Sequence, residues 1–95
     1  MGDGRRPCQG EDVLARNSEG SLVLLHARTG HYYTLDDVGA RVWELCDGAR
    51  GVDDIVAALH AEYDAPAEVL AADVDELLAE LSAEGLIGDA PVAHA

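Results

Sequence analysis

Four histidines, two cysteines and nineteen acids are the side chains here that could hold a metal, attack a carbonyl or move a proton. His26, His31, His60 and His94 are not at metal-ligand spacing with one another or with the cysteines. His26 and His31 flank one turn and can meet across a hairpin, but two ligands make no zinc site without further donors. Neither a metal nor any other cofactor is expected. Cys8 stands in a Gly- and Arg-rich start, and Cys46 falls on the apolar stripe of a helix. There a free thiol packs as a small hydrophobe; a nucleophile is the competing reading. Two such distant cysteines suit a reduced cytoplasmic protein better than a disulfide. No catalytic constellation is in view, so an enzyme is not expected.

The acids hold a second kind of chemistry. Glu68, Asp73, Asp75, Glu76, Glu80 and Glu84 occupy one helical stretch that contains no Lys or Arg. Asp73, Glu76 and Glu80, three and four apart, share a stripe bordering the apolar one. Each like-charge pair at that spacing costs about 0.2–0.5 kcal/mol, and a basic ligand lying alongside would relieve the cost. Two readings stand: a solvated face that keeps the protein soluble, or a stripe that meets Arg or Lys on a partner.

Charge excludes several partners. The net charge is −13, with six Arg and no Lys. After Arg50 the chain carries eleven acids and no basic side chain except His60 and His94. Nucleic-acid affinity rests on Lys and Arg displacing counterions, so a duplex would be repelled. An anionic membrane is disfavoured for the same reason. No run is long enough to span a bilayer, and Met1 to Pro7 has no apolar segment behind it, so export is not expected.

The elements that must position these residues follow from periodicity. Apolar residues are 48% of the 95, enough for one small core without Phe. Residues 1–10 and 89–95 read as flexible tails around a domain at 11–88. Val13 to Arg16, Ser21 to Ala27 and His31 to Leu35 are strand candidates, separated by turns at Asn17–Gly20 and Arg28–Gly30. Alternation puts Tyr33 and Leu35 on the core face and Tyr32 and Thr34 on the other. Helical spacing then takes over. Asp36 caps a first helix bearing Val38, Val42, Trp43, Leu45 and Cys46, which Asp47-Gly48 ends. Val52, Ile55, Val56, Leu59 and Tyr63 mark a second. A third runs from Pro66 to Glu84 with Leu70, Val74, Leu77, Leu78 and Leu81, before Gly85 and an extended Leu86-Ile87. The fold class is α+β, βββααα: a three-stranded antiparallel meander followed by three helices.

Arg28 to Gly48 joins a Thr-Gly turn, an aromatic strand, Leu35-Asp36, Gly39-Ala40 and a Trp43-x-Leu45-x-Asp47-Gly48 end. Val52 to Val56, Tyr63, Asp73-Val74 and Leu81-x-x-x-Gly85-Leu86-Ile87 continue the series. In this order and spacing the pieces resemble the PqqD family, over about three quarters of the chain. The resemblance implies a winged helix-turn-helix-like recognition element for ribosomally made, post-translationally modified peptides. In that family a precursor's leader peptide adds as an antiparallel strand beside strand three, in a groove with helix three. Members stand alone or are fused to radical-SAM proteins, cyclodehydratases or lasso-peptide proteases. His31 stands where Arg or Lys is common, and Gly51 where Thr or Ser often caps helix two.

An unpaired edge at His31, Tyr32, Tyr33, Thr34 and Leu35 would accept a peptide strand through about five main-chain bonds of ~0.5–1.5 kcal/mol each. Tyr32 and Thr34, then Tyr33, are the expected strand contacts, with Val69, Asp73, Glu76, Leu77 and Glu80 from helix three. Core packing is the competing reading of Tyr33 and Leu77. The expected partners are a leader peptide and the modifying enzyme or leader peptidase that receives it, as in lasso-peptide biosynthesis. The domain itself is expected as a monomer or an edge-strand dimer. A general protein–protein adaptor is the alternative.

Overall fold

The structure is a computed structural model that describes residues 6–90. Strands β2 (Val13–Ser18), β3 (Ser21–His26) and β4 (Tyr32–Leu35) form an antiparallel sheet in the order β2-β3-β4. Helices α1 (Asp37–Leu45), α2 (Val52–Glu62) and α3 (Ala67–Ala83) follow. This is the expected three-stranded sheet and three-helix order. Outside it, β1 (Arg6–Gln9) pairs antiparallel with β5 (Ile87–Ala90) in a separate ribbon.

The turns are built as their residues require. Ser18 pairs with Ser21 around Glu19 and Gly20, both at positive φ (46° and 86°), which matches the strand twist of a two-residue hairpin. Asp36 caps α1, its Oδ1 accepting the Gly39 N–H at 2.8 Å. Gly39 is buried there. A Cβ would meet Leu35 side-chain carbons and the Asp36 carboxylate at 3.2 Å, so glycine lets α1 start hard against the end of β4. At Gly51 there is no side chain to cap α2. Instead Asp54 reaches back to accept the Gly51 N–H at 3.2 Å. Helix α3 ends in a Schellman motif: Leu86 N–H bonds Leu81 C=O at 2.9 Å and Gly85 N–H bonds Ser82 C=O at 3.0 Å. Gly85 sits at φ +72°, where a side chain is strained.

Two buried clusters make the core. Val42, Leu45, Cys46, Ile55, Leu59, Leu70, Val74 and Leu78 pack the helices together. Leu22, Leu24, Leu35, Trp43, Leu81 and Leu86 join the sheet to α1 and α3. Leu77 and Ile87 touch both clusters. At the surface, Arg41 forks onto Glu62 (Nε–Oε1 2.9 Å, Nη2–Oε2 2.8 Å) and also reaches Glu44, fastening α1 to the end of α2.

Three expectations are corrected. Residues 1–10 were expected as a tail, but Arg6–Gln9 is a strand. Its main chain pairs with β5, Pro7 is buried, and Gln9 Nε2 donates to the Trp43 carbonyl at 2.9 Å. In the same way Asp89 and Ala90 belong to β5. The remaining tail residues, 1–5 and 91–95, lie outside those described. The first helix stops at Leu45 with Cys46 as its cap, and Asp47-Gly48 ends it as expected, the Asp47 carboxylate accepting the Ala49 and Arg50 N–H groups and turning the chain. Pro66 is the cap of α3, with extended ψ 143°, and not its first helical residue.

Cys46 is fully buried, and burial with the nearby Asp47 charge pushes its thiol up to about 12. A raised folded-state value stabilises the fold while the thiol is protonated. Stability should therefore decline from about pH 9, where an unfolded thiol ionises, up to about 12. The ceiling is about 1.4 kcal/mol per pH unit. Denaturant melts should show the slope flatten in Cys46→Ala, and iodoacetamide should reach Cys46 only on unfolding. Gly85→Ala should cost about 1–2 kcal/mol from the left-handed backbone, read in the same melts.

Candidate functional site

β4 is a strand with one side free. The His26 N–H donates to the His31 carbonyl at 2.8 Å, which sets the phase of the bonding between β3 and β4, while the His26 carbonyl accepts from Gly30 in the turn. Antiparallel bonding alternates, and the register pairs Leu24 with Tyr33 and Leu22 with Leu35. Tyr33 and Leu35 thus spend their main-chain groups on β3, and His31 its carbonyl, while the His31 N–H donates to Thr29 Oγ1 at 3.2 Å. Tyr32 and Thr34 point theirs the other way, and among the described residues no strand pairs there. The free edge offers four groups: two N–H and two C=O.

Beside this edge lies an open groove of about 750 Å³. β4 forms one wall and α3 the other, with Val38, Gly39 and Val42 of α1 and Leu59, Tyr63 and Ala65 of the α2 side closing one end. The α3 wall presents Val69, Leu70, Asp73, Val74, Glu76, Leu77 and Glu80. Val69 is half exposed (48%), an apolar side chain that the core leaves open to the groove. Asp36, Asp64, Asp73, Glu76 and Glu80 are its charged residues, and none of the described lining residues is basic.

The two walls meet through Tyr33. Its hydroxyl donates to the Glu80 carboxylate across the groove. That bond, then desolvation, then the negative charges of Glu80, Glu84 and Glu76 raise the Tyr33 hydroxyl above its ordinary value. One step back along β4, His31 Nδ1 lies 3.9 Å from Glu84. β4 and α3 therefore run past each other in opposite directions, His31 beside Glu84 and Tyr33 beside Glu80.

Of the ten expected contact residues, the structure gathers eight along the groove: Tyr33, Thr34, Leu35, Val69, Asp73, Glu76, Leu77 and Glu80. His31 and Tyr32 are not among its lining. Tyr32 points to the outer face of the sheet, 73% exposed, so only its main chain faces the free edge. It ends a cross-strand row with Leu25 (39%) and Leu14 (62%), the exposed apolar residues of that face. The periodicity had assigned Val38, Val42, Leu59 and Tyr63 to the core alone. They also floor the groove at the end where Gly39 lets α1 border the end of β4.

Catalytic alternatives find little here. Among the described residues no three His, Cys, Asp or Glu side chains come together as a metal-binding group. His26 and His31 are cross-hairpin neighbours, but His26 Nδ1 accepts the Arg28 N–H at 3.3 Å while His31 turns to Glu84. No helix of the described chain is long and apolar enough to cross a membrane.

Known proteins share this architecture. A family model described as coenzyme PQQ synthesis protein D (PqqD) matches residues 21–87. A PqqA binding protein of Bradyrhizobium diazoefficiens is 36% identical over 55 residues, 58% of this chain and 53% of that protein. One of Gluconobacter oxydans is 34% identical over 55 residues, 57% of its own length. The chain spans about half the length of the curated relatives it matches. Among solved structures, TbiB1 in complex with the TbiA(beta) leader peptide superposes with a TM-score of 0.76 at 31% identity, covering 84% of this chain and 93% of that one. A lasso peptide synthetase B1 complexed with its leader peptide gives 0.78 at 20% identity over 87% and 98%, a likeness of fold. With its matched span taking in the sheet from β3 onward and all three helices, the chain belongs to the PqqD family.

Proposed function

We propose that this protein binds the leader of a ribosomally made precursor peptide as an added antiparallel strand on β4 and delivers it to a modifying enzyme or leader peptidase, doing no chemistry itself. The observation that carries the reading is the unpaired edge of Tyr32 and Thr34 beside a groove lined by α3. An open edge is a template for strand addition. Relatives named for binding PqqA, and two solved relatives whose structures hold a leader peptide, support the same reading.

Magnitudes divide the work between edge and groove. Four main-chain bonds at about 0.5–1.5 kcal/mol each contribute about 2–6 kcal/mol. A micromolar complex needs about 8 kcal/mol. The balance must come from side chains entering the groove, so the edge supplies docking and the groove supplies selection. One further feature favours a second reading, a protein adaptor: the exposed row Leu14–Leu25–Tyr32, which suits an apolar partner surface. Capture of a biosynthetic enzyme in the absence of any precursor peptide would favour it.

Labelled leader segments from several precursor classes, followed by fluorescence polarisation, should give micromolar or tighter binding, about −8 kcal/mol, for one class. Thr34→Pro removes a donor from the free edge and none from the β3 ladder. It should weaken binding about tenfold, the scale of one lost bond, with the melting temperature little changed. A leader N-methylated at the residues bonding β4 tests the same bonds without touching the protein. Undiminished affinity in both would rule out strand addition. A bound leader that displaces Glu80 should also move the Tyr33 ionisation, visible by NMR, toward the ordinary phenol range.

A further inference from the structure

The groove is not uniform along its length. At the Leu35 end the floor is apolar, with Val38, Val42, Leu59 and Tyr63, under a rim that carries Asp36, Asp64 and Asp73. At the His31 end the neighbours are carboxylates. Tyr33 is bonded to Glu80, and His31 lies 3.9 Å from Glu84. Glu76, Glu80 and Glu84 together act on the Tyr33 hydroxyl.

Strand geometry decides which residues of an added peptide can sense this. Directly paired residues on neighbouring strands share a face of the sheet. Peptide residues opposite Leu35, Tyr33 and His31 therefore point into the groove. Those opposite Tyr32 and Thr34 extend the outer face, whose cross-strand rows are Leu14–Leu25–Tyr32 and Arg16–Val23–Thr34. Those rows contain no carboxylate and one Arg. The steps also match. Two residues of strand advance about 6.8 Å, and four residues of helix about 6.0 Å. Alternate residues of the peptide thus fall beside successive turns of α3, and so beside Glu76, Glu80 and Glu84 in turn.

Resting on the strand-addition reading, we infer that the groove sets register through the face of the added strand on which a cation falls. It selects an extended segment with an apolar side chain opposite Leu35 and a Lys or Arg two or four residues towards its C-terminus. An odd spacing turns the cation to the outer face, beside Thr34 or Tyr32 and away from the α3 carboxylates.

Synthetic Thr/Ser host peptides carrying one Leu and one Arg test this by competition against a labelled peptide of the even-spaced kind. Leu before Arg at an even spacing should bind about three- to fivefold tighter than the odd-spaced isomer, the scale of one exposed ion pair. The advantage should disappear in E80Q/E84Q and shrink in high salt. Equal binding at even and odd spacing would overturn the register inference while leaving strand addition standing. Binding by none of the peptides would overturn strand addition and this inference with it.

Discussion

The burial of one stripe of α3 against two different partners holds the rest of the molecule in place. Leu70, Val74 and Leu78 pack into the helical cluster, while Leu81 belongs to the cluster beneath the sheet, and Leu77 touches both. Each fully buried Leu is worth about 1.5–3 kcal/mol. Removing this stripe would separate sheet from helices, not merely loosen one contact. Because the stripe is fixed from both sides, the neighbouring face of the helix is fixed as well. Asp73, Glu76 and Glu80 stand at a set distance from β4, though nothing buries them. The groove is thus a by-product of core packing, and its rigidity is that of the core.

The same constraint explains why β4 keeps a free side. Its inner face is committed: Leu35 is buried, and Tyr33 reaches across to Glu80. Its β3 side is committed by the ladder. α1 begins immediately after Leu35, held close by Gly39 and the Asp36 cap, so the strand cannot lengthen at that end. What remains is a short edge with two residues' worth of unpaired main chain, flanked by a helix wall. Such an edge is too short to recruit a long strand by backbone bonds alone, so under the proposed strand addition the groove would choose the ligand.

Much of this was legible in the sequence, for identifiable reasons. Period-two alternation at Tyr32 to Leu35 and helical spacing at Leu70 to Leu81 each encode one face, and both faces lie where that alternation puts them. Caps at Asp36 and Gly85 are local chemistry and could be read locally. Arg6–Gln9 could not. Its strand exists because β5, at the other end of the chain, and the Cys46 and Trp43 carbonyls accept its hydrogen bonds. Neither alternation nor composition at Arg6-Pro7-Cys8-Gln9 announces partners that distant. The groove floor was hidden for a related reason. A half-buried Val38 or Tyr63 satisfies the same apolar pattern whether it meets core or ligand. Only three-dimensional placement tells them apart.

Charge settles what the edge is free to meet. A short exposed strand is open to pairing with another copy of itself, and proteins blunt such edges with charge. Here the groove wall is acidic, and each copy carries a net charge of −13. Two copies joined edge to edge would bring their α3 carboxylates near one another and repel over a Debye length of about 8 Å at physiological ionic strength. A peptide of low or positive charge meets no such barrier and is drawn in by the same field. On the proposed reading, the acids that cost α3 some helical stability would act as a filter, leaving the edge open to a basic or neutral strand while opposing self-pairing.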